Sequence, residues 1–419
     1  MPSLATRTLL VLVCGFAALS STVAAAFGLA EERMLVFTSL VVALALVPFL
    51  ARPRLARPSG PVLLLWLLLA AMVLIDLAGT FDPVDLKPLL PLLVLLAAPN
   101  LARSLSPGEL GRFVWRLLSF YVVATWLYQL VAEPAAIAHG YAGIVRYDPT
   151  GSVVMHSSLS LIHVVVALAR LRRPLRLRAR LATVALGLMS LSMVFLTATR
   201  TALLTLLLLL LLQVVVAPCP RRAWLRLGGT GLGLGLAFGS WTILVNDSFY
   251  LRLTGGQEDY SSGRWSSLGH WLVLAGDHPW GLGLGAVREI LADGRPELDG
   301  ATLLEWPHNE FVRFWVEAGP PGLLFVVLLL ALLTGRAIRA ARVEADPAVR
   351  ALMLVIAADL VAEACLQNIL NAVYHATVLV LILSLATAQV ERRTVADVAP
   401  PALPGGRDNA GIVGWRLPC

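Results

Sequence analysis

The chain has 419 residues, 58% of them hydrophobic and 14% charged, with a mean hydropathy of +0.79. Soluble domains carry about 25% charged residues, so a soluble enzyme or binding module is excluded. Lys and Arg number 33 against 26 Asp and Glu, an excess that would point to nucleic acid in a soluble chain but is accounted for here by its placement.

Apolar runs of about 17 to 23 residues recur, the length a helix needs to cross roughly 30 Å of hydrocarbon. They are Leu/Ala-rich and lack an alternation of period two, which argues against transmembrane strands. Twelve spans are predicted, near 8–30, 34–50, 61–79, 86–102, 111–132, 152–171, 181–198, 201–217, 226–246, 318–336, 349–369 and 372–390. The fold class is therefore all-α, a polytopic membrane protein. The first span looks like a signal peptide, with Arg7, an apolar core and Val23-Ala24-Ala25-Ala26, but eleven more spans make it a retained anchor. Bulky Val13 before Cys14 speaks against a lipoprotein site. Pro88 and Pro91 interrupt the fourth span, and the ninth, rich in glycine from Gly228 to Gly239, reads as close helix packing.

With the N-terminus inside, 24 of the 33 basic residues fall on one side, among them Arg52, Arg54, Arg57, the six arginines between 170 and 180, and Arg392 and Arg393. The other side holds Arg33, Lys87, Arg146, Arg200, Arg252, Arg264, Arg288, Arg295 and Arg313. Positive charge stays inside, so both termini are expected in the cytoplasm, and no nucleic acid partner is needed. Cys14 and Cys365 fall within spans, and Cys219 and Cys419 on the inner side. No disulfide framework or zinc spacing follows from them.

Four stretches organise the chain: 1–245 with spans one to nine, an outside loop at 246–318, spans ten to twelve at 319–391, and a Pro/Gly-rich tail at 392–419 that reads as disordered. The outside loop, about 70 residues long, is the part with room to fold beyond the bilayer. It has helical spacing from Arg264 to Leu274, with Trp265, Leu268 and Leu272 expected on one face. A turn at Asp277–Gly281 and a short helix over Ala286–Leu291 follow. A second outside loop, near 133–151, carries His139, Tyr141, Arg146 and Tyr147. The inner loops are too short for a nucleotide-binding domain.

The outside loop ends in Trp306-Pro307-His308-Asn309-Glu310, then Gly319-Pro320-Pro321-Gly322. Pro307 suits the first position of a helix, which would put His308 in its first turn. The positive end of a helix disfavours imidazolium and keeps a base neutral; an interfacial histidine in a polar loop is the other reading. Arg200 sits in a short outside turn, Thr197-Ala198-Thr199-Arg200, between two apolar spans. A charge there is costly unless paired or hydrated, so it binds an anion or snorkels to headgroups. Arg264 opens the amphipathic helix, and with Lys87 and Arg146 makes an outside cationic set suited to phosphate. Gly281-Leu282-Gly283-Leu284-Gly285 lacks the strand and Lys-Ser/Thr of a phosphate loop. Asp76, His156, His163, Asp359, Glu363 and His375 lie within spans. Asp359 and Glu363, four apart, could relay protons in a secondary transporter or could satisfy polar neighbours.

On these residues the chain resembles the O-antigen ligase and polymerase superfamily of bacterial envelope glycosyltransferases. His308-Asn309, nine residues, Gly319, two residues, Gly322 fits that group's His-[Asn/Ser/Gln]-x9-Gly-x-x-Gly pattern. Arg200 matches its Thr/Ser-Arg turn, and Pro279-Trp280-Gly281-Leu282-Gly283 its Pro-x-Gly-x-Gly element. Arg264 matches an arginine heading a periplasmic helix, although Leu268 stands where that helix often has Trp. The resemblance covers roughly residues 60–390. It implies a GT-C-type ligase of the bacterial inner membrane, without metal or cofactor, whose active site faces the periplasm. The donor would be an undecaprenyl-pyrophosphate-linked polysaccharide and the acceptor a sugar hydroxyl of lipid A–core. His308 would be the base, Arg200 and Arg264 would stabilise the leaving pyrophosphate, and Asn309, Lys87 and Arg146 would help bind substrate. An O-antigen polymerase is the nearest alternative, since it uses the same donor.

Overall fold

A computed structural model of the chain describes residues 60–76, 89–103, 105, 107–132, 140–141, 144–145, 153–197, 199–217, 264–293, 297–298, 302–370 and 372–398. The spans predicted near 8–30, 34–50 and 226–246 lie outside the described residues, as do Lys87 and Arg146. The other nine predicted spans all fall on helices: α1 (Gly60–Asp76), α2 (Leu89–Arg103), α3 (Pro107–Ala132), α4 (Val153–Leu171), α5 (Leu177–Thr197), α6 (Arg200–Val216), α9 (Glu310–Val343), α10 (Pro347–Leu366) and α11 (Val373–Val398). Between α6 and α9 come α7 (Arg264–Asp277) and α8 (Ala286–Ala292). Among the described residues two minimal antiparallel hairpins accompany the helices: β1 (Gly140–Tyr141) with β2 (Ile144–Val145), and β3 (Glu297–Leu298) with β4 (Thr302–Leu303).

Among the described residues, four helices are long and apolar enough to cross a membrane, α3, α4, α5 and α9, while α1, α2 and α6 are shorter apolar helices. With these, the protein is a multi-pass membrane protein. Pro91 does not interrupt the fourth predicted span. α2 begins at Leu89, so Pro91 falls in the first turn, where a missing N–H costs nothing. α11 runs on to Val398, past the end near 390 read from hydropathy.

α10 is the centre of the bundle, packed by α4, α6, α9 and α11. It is apolar on every side, and a helix of that kind must be surrounded: from Leu352 to Leu360 every side chain is buried. α5 is the contrast. It buries Thr183, Ser190, Met193, Val194 and Thr197 and exposes Leu181 and Leu188, as a helix facing lipid would.

Buried polar groups in such a bundle must find partners inside it, and here they do so mostly through hydroxyls. Asp359 of α10 accepts hydrogen bonds from Ser158 of α4 and, at 3.0 Å, from Thr205 of α6. His156 pairs with Tyr121, and His163 meets Ser190 at 2.6 Å and Ser119 at 3.2 Å while stacking on Trp115. Glu363 meets His375 of α11 at 2.9 Å. Asp359 and Glu363 thus sit on one flank of α10 and bind different neighbours.

Among the described residues, several of the arginines assigned to the inner side meet their partners at one end of the bundle. Arg393 reaches Glu344 at 3.2 Å, Arg336 grips Glu391 through two nitrogens at 3.0 and 3.2 Å, and Arg173 pairs with Asp346. Arg392 donates to the Ala102 carbonyl at 2.8 Å. Asp346 also caps α10, accepting from the Ala348 amide at 2.9 Å ahead of Pro347 in the first turn.

At the other end a second, smaller core joins α7, α8 and the head of α9: Trp271, Ala275, Val287, Leu304, Val312 and Val316. The inner face of α7 runs through Leu268, Trp271 and Ala275, whereas Leu272, expected on it, is exposed. Positions 268, 271 and 275 continue one helical stripe, and bulky Trp271 decides which way it turns. Trp271→Ala should cost about 3–5 kcal/mol, read as a lowered melting temperature of the detergent-solubilised protein.

Candidate functional site

The segment before α9 is held from two sides. On the α7 side, the indole N–H of Trp271 donates to the Glu305 carbonyl at 2.8 Å. Ser267 Oγ accepts from the Glu305 amide at 3.0 Å. Both backbone groups of Glu305 are therefore satisfied by one face of α7. Leu304, fully buried beside Trp271, fixes the depth of the strand.

The second anchor is α10. Asn309 caps α9: its Oδ1 accepts from the Val312 amide at 3.1 Å. Its Nδ2 donates to the Cys365 carbonyl at 3.1 Å, one of the carbonyls that the end of α10 leaves without an intrahelical partner. Next to it, the buried Glu310 carboxylate accepts from the Leu370 amide and forms an ion pair with Arg313 at 2.8 Å.

His308 lies between these anchors. It does not occupy the first turn of the helix, as the Pro307 reading predicted. α9 starts at Glu310, and His308 precedes the cap with φ 46°, the sole non-glycine in the left-handed region among the described residues. Asn309 wins the capping position because its side chain satisfies an amide that proline cannot. The left-handed conformation costs a non-glycine residue about 1–2 kcal/mol and turns the imidazole out of the helix. The ring is about a quarter exposed, with Nε2 4.0 Å from the Glu305 carboxylate. Glu305 and Glu310, the carboxylates flanking His308, were not singled out from the sequence; the signal available was acidic residues at minus three and plus two of the histidine.

The continuation of α9 is broken on purpose-built terms. Pro320 and Pro321 have no N–H to offer the carbonyls of Val316 and Glu317, and Gly319 adopts φ 61°, ψ −150°. The glycine turn after α7 fills the gap. The Leu282 amide donates to Val316 O and the Gly283 amide to Glu317 O, both at 2.9 Å. For this the two backbones must touch. A Cβ on Gly319 would lie 2.6 Å from the Pro279 carbonyl oxygen, and one on Gly281 2.5 Å from that of Glu317. Gly322 faces the Phe314 carbonyl with no room for a side chain. The Pro-x-Gly-x-Gly element and the Gly-x-x-Gly element are thus two halves of one joint, and no phosphate is needed to explain the glycines.

The backbones of Arg200 and Arg264 reach the same end of the protein. Arg200 opens α6, five residues or about 7.5 Å before Thr205. Thr205 is bonded to Asp359, which lies six residues or about 9 Å before Cys365. Arg200 therefore begins its helix at about the level where Cys365 holds Asn309. Arg264 opens α7 one turn before Ser267, the residue that holds Glu305. Three separate helix starts, those of α6, α7 and α9, converge on this end. Arg313, also counted among the outside cations, is buried, paired with Glu310 and stacked over Phe314 at 4.5 Å.

For a metal, the described residues bring together Asp359, Glu363 and His375, whose ligand atoms lie within 4.8 Å of one another. They belong to the bundle interior, where Asp359 accepts from Ser158 and Thr205 and one Glu363 oxygen meets His375 Nε2.

Residues 184–327 match the family Wzy_C, described as O-Antigen ligase. The match runs from α5 through the first turns of α9 beyond the break and includes Arg200, Arg264, the Pro279–Gly283 turn and His308. No curated protein matches the chain.

Proposed function

We propose, for a chain whose residues 184–327 match the O-antigen ligase family, that it transfers a polysaccharide from undecaprenyl pyrophosphate to a sugar hydroxyl of lipid A–core. The fold would be of GT-C type, set in the bacterial inner membrane with its site facing the periplasm. The observation that carries the reading is the out-turned His308, fixed between α7 and α10 at the end of the bundle where α6 and α7 start with arginine.

In the reaction His308 takes the proton of the acceptor hydroxyl as its oxygen bonds to the anomeric carbon of the donor. The bond from that carbon to the pyrophosphate oxygen breaks, and the electron pair leaves with undecaprenyl pyrophosphate. Glu305, 4.0 Å from Nε2, steadies the imidazolium that forms. Arg200 and Arg264 receive the pyrophosphate charge, the task a divalent cation performs elsewhere, and Lys87 and Arg146 assist in binding the donor. Asn309 contributes to substrate binding through the turn it holds. Loss of a lipid pyrophosphate drives the transfer, so no cofactor is required.

The test is complementation of a ligase-deficient Gram-negative strain, reading lipopolysaccharide on a gel. A ladder of capped lipopolysaccharide supports ligation. Lengthened lipid-linked chains without a ladder make the protein a polymerase. Proton-coupled uptake into vesicles that is abolished by Asp359→Asn makes it a transporter. Arginine geometry gives a finer check: Arg200→Lys and Arg264→Lys should each raise the KM for the donor about tenfold, the scale of one charge-assisted hydrogen bond, measured with purified lipid-linked donor.

A further inference from the structure

Glu310 stands outside the His-Asn-x9-Gly-x-x-Gly pattern, yet it is the most deeply enclosed ionisable side chain beside His308. Its carboxylate has no solvent exposure. One oxygen accepts from the Leu370 amide, in the turn that follows α10, and the other faces Arg313 Nε at 2.8 Å. An acid is buried in this way only when its charge is compensated, and here Arg313 supplies the opposite charge while the Leu370 amide donates to one oxygen.

The placement of these contacts matters more than their strength. Asn309 takes the Cys365 carbonyl and Glu310 takes the Leu370 amide, so two consecutive side chains grip the end of α10 and the turn beyond it. The residue just before them, His308, is held in the left-handed region at φ 46°. A strained backbone persists only when its surroundings over-determine it. On one side of His308 the restraint is Glu305 bonded to α7; on the other it is this double grip on α10. The two carboxylates therefore have different tasks. Glu305 is part-exposed next to the imidazole, whereas Glu310 is sealed beneath it and meets no solvent.

We propose that Glu310 is a positioning residue: by bonding the Leu370 amide and neutralising Arg313, it locks the head of α9 onto the α10–α11 turn and so holds His308 in its out-turned conformation. The role in transfer rests on the ligase reading given above; the lock itself does not. Arg313 follows as a structural cation committed to Glu310, apart from the arginines assigned to pyrophosphate.

The experiment uses the full-length protein in detergent or nanodiscs, with Glu310→Ala, Glu310→Gln and His308→Ala. If His308 is displaced by as little as 1 Å, kcat should fall about 100-fold in Glu310→Ala, with KM for the lipid-linked donor unchanged. Glu310→Gln keeps an oxygen for the Leu370 amide and should recover part of that loss, the remainder reflecting the Arg313 charge it leaves uncompensated. Adding Glu310→Ala to His308→Ala should cost nothing more, since residues acting through one group are not additive. Wild-type kcat in Glu310→Ala, no recovery in Glu310→Gln, or a further loss in the double variant would each overturn the role. Hydrogen exchange separates failure of the lock from failure of the ligase reading. Glu310→Ala should speed exchange in segments 304–310 and 366–371 and leave α3 to α5 unchanged, whether or not any transfer is seen. Unaltered exchange there would overturn the lock itself.

Discussion

Gly319→Ala should abolish transfer and lower the melting temperature of the purified protein, at a cost of about 2–4 kcal/mol. Two effects add. The residue holds φ 61°, which a Cβ resists, and that Cβ would lie 2.6 Å from the Pro279 carbonyl oxygen and 2.9 Å from the Trp280 carbonyl carbon. Neither neighbour is the end of a flexible side chain. Relief requires the glycine turn to back away, which strips Val316 and Glu317 of the amides that replace those of the two prolines. Gly281→Ala attacks the same joint from the other side and should behave alike. Gly335→Ala, further along α9, is the control. Its nearest neighbour is the tip of Arg339 at 3.5 Å, so alanine there should stabilise the helix by about 0.5–1 kcal/mol. A Gly319→Ala protein that melts and transfers like the wild type would show that the joint is dispensable.

His308→Ala should lower the rate of transfer about 10²- to 10⁴-fold, the usual contribution of a general base, while leaving the melting temperature nearly unchanged. The reason for the split is geometric. The ring is part-exposed beside Glu305, and the backbone on both sides is held by other residues. A single-turnover assay with lipid-linked donor, run beside a thermal melt, reads both quantities. Full transfer by the variant would remove the base assignment; loss of transfer with a collapsed melt would make the histidine structural.

Much of this was legible in the primary structure because it rests on local rules. Hydropathy and run length placed nine spans where helices are found, and the arginine bias grouped residues such as Arg173, Arg336 and Arg393 that meet their partners at one end of the bundle. The His308–Gly322 spacing located the segment that the folded chain braces on two sides. Arg264 was picked out as the charge that opens a helix, which its backbone does, whereas Arg200, read as part of a turn, is the first residue of α6.

What the linear pattern could not decide depended on competition between residues that meet only in the folded chain. Pro307 was expected to open α9, but Asn309 caps it, bonding the Val312 amide and reaching the carbonyl of Cys365, 56 residues away. Leu272 was expected on the apolar face of α7, but the larger ring of Trp271 fills the space beside Val287, Leu304 and Val312. The glycines at 281 and 283 were read as lacking a phosphate, when their use was to approach a helix broken by Pro320 and Pro321. Hydropathy and helix signals act over a few residues, so the chain order contains them. Which carbonyl is left open, and which amide comes to close it, is settled only when α7, α9 and α10 are packed together.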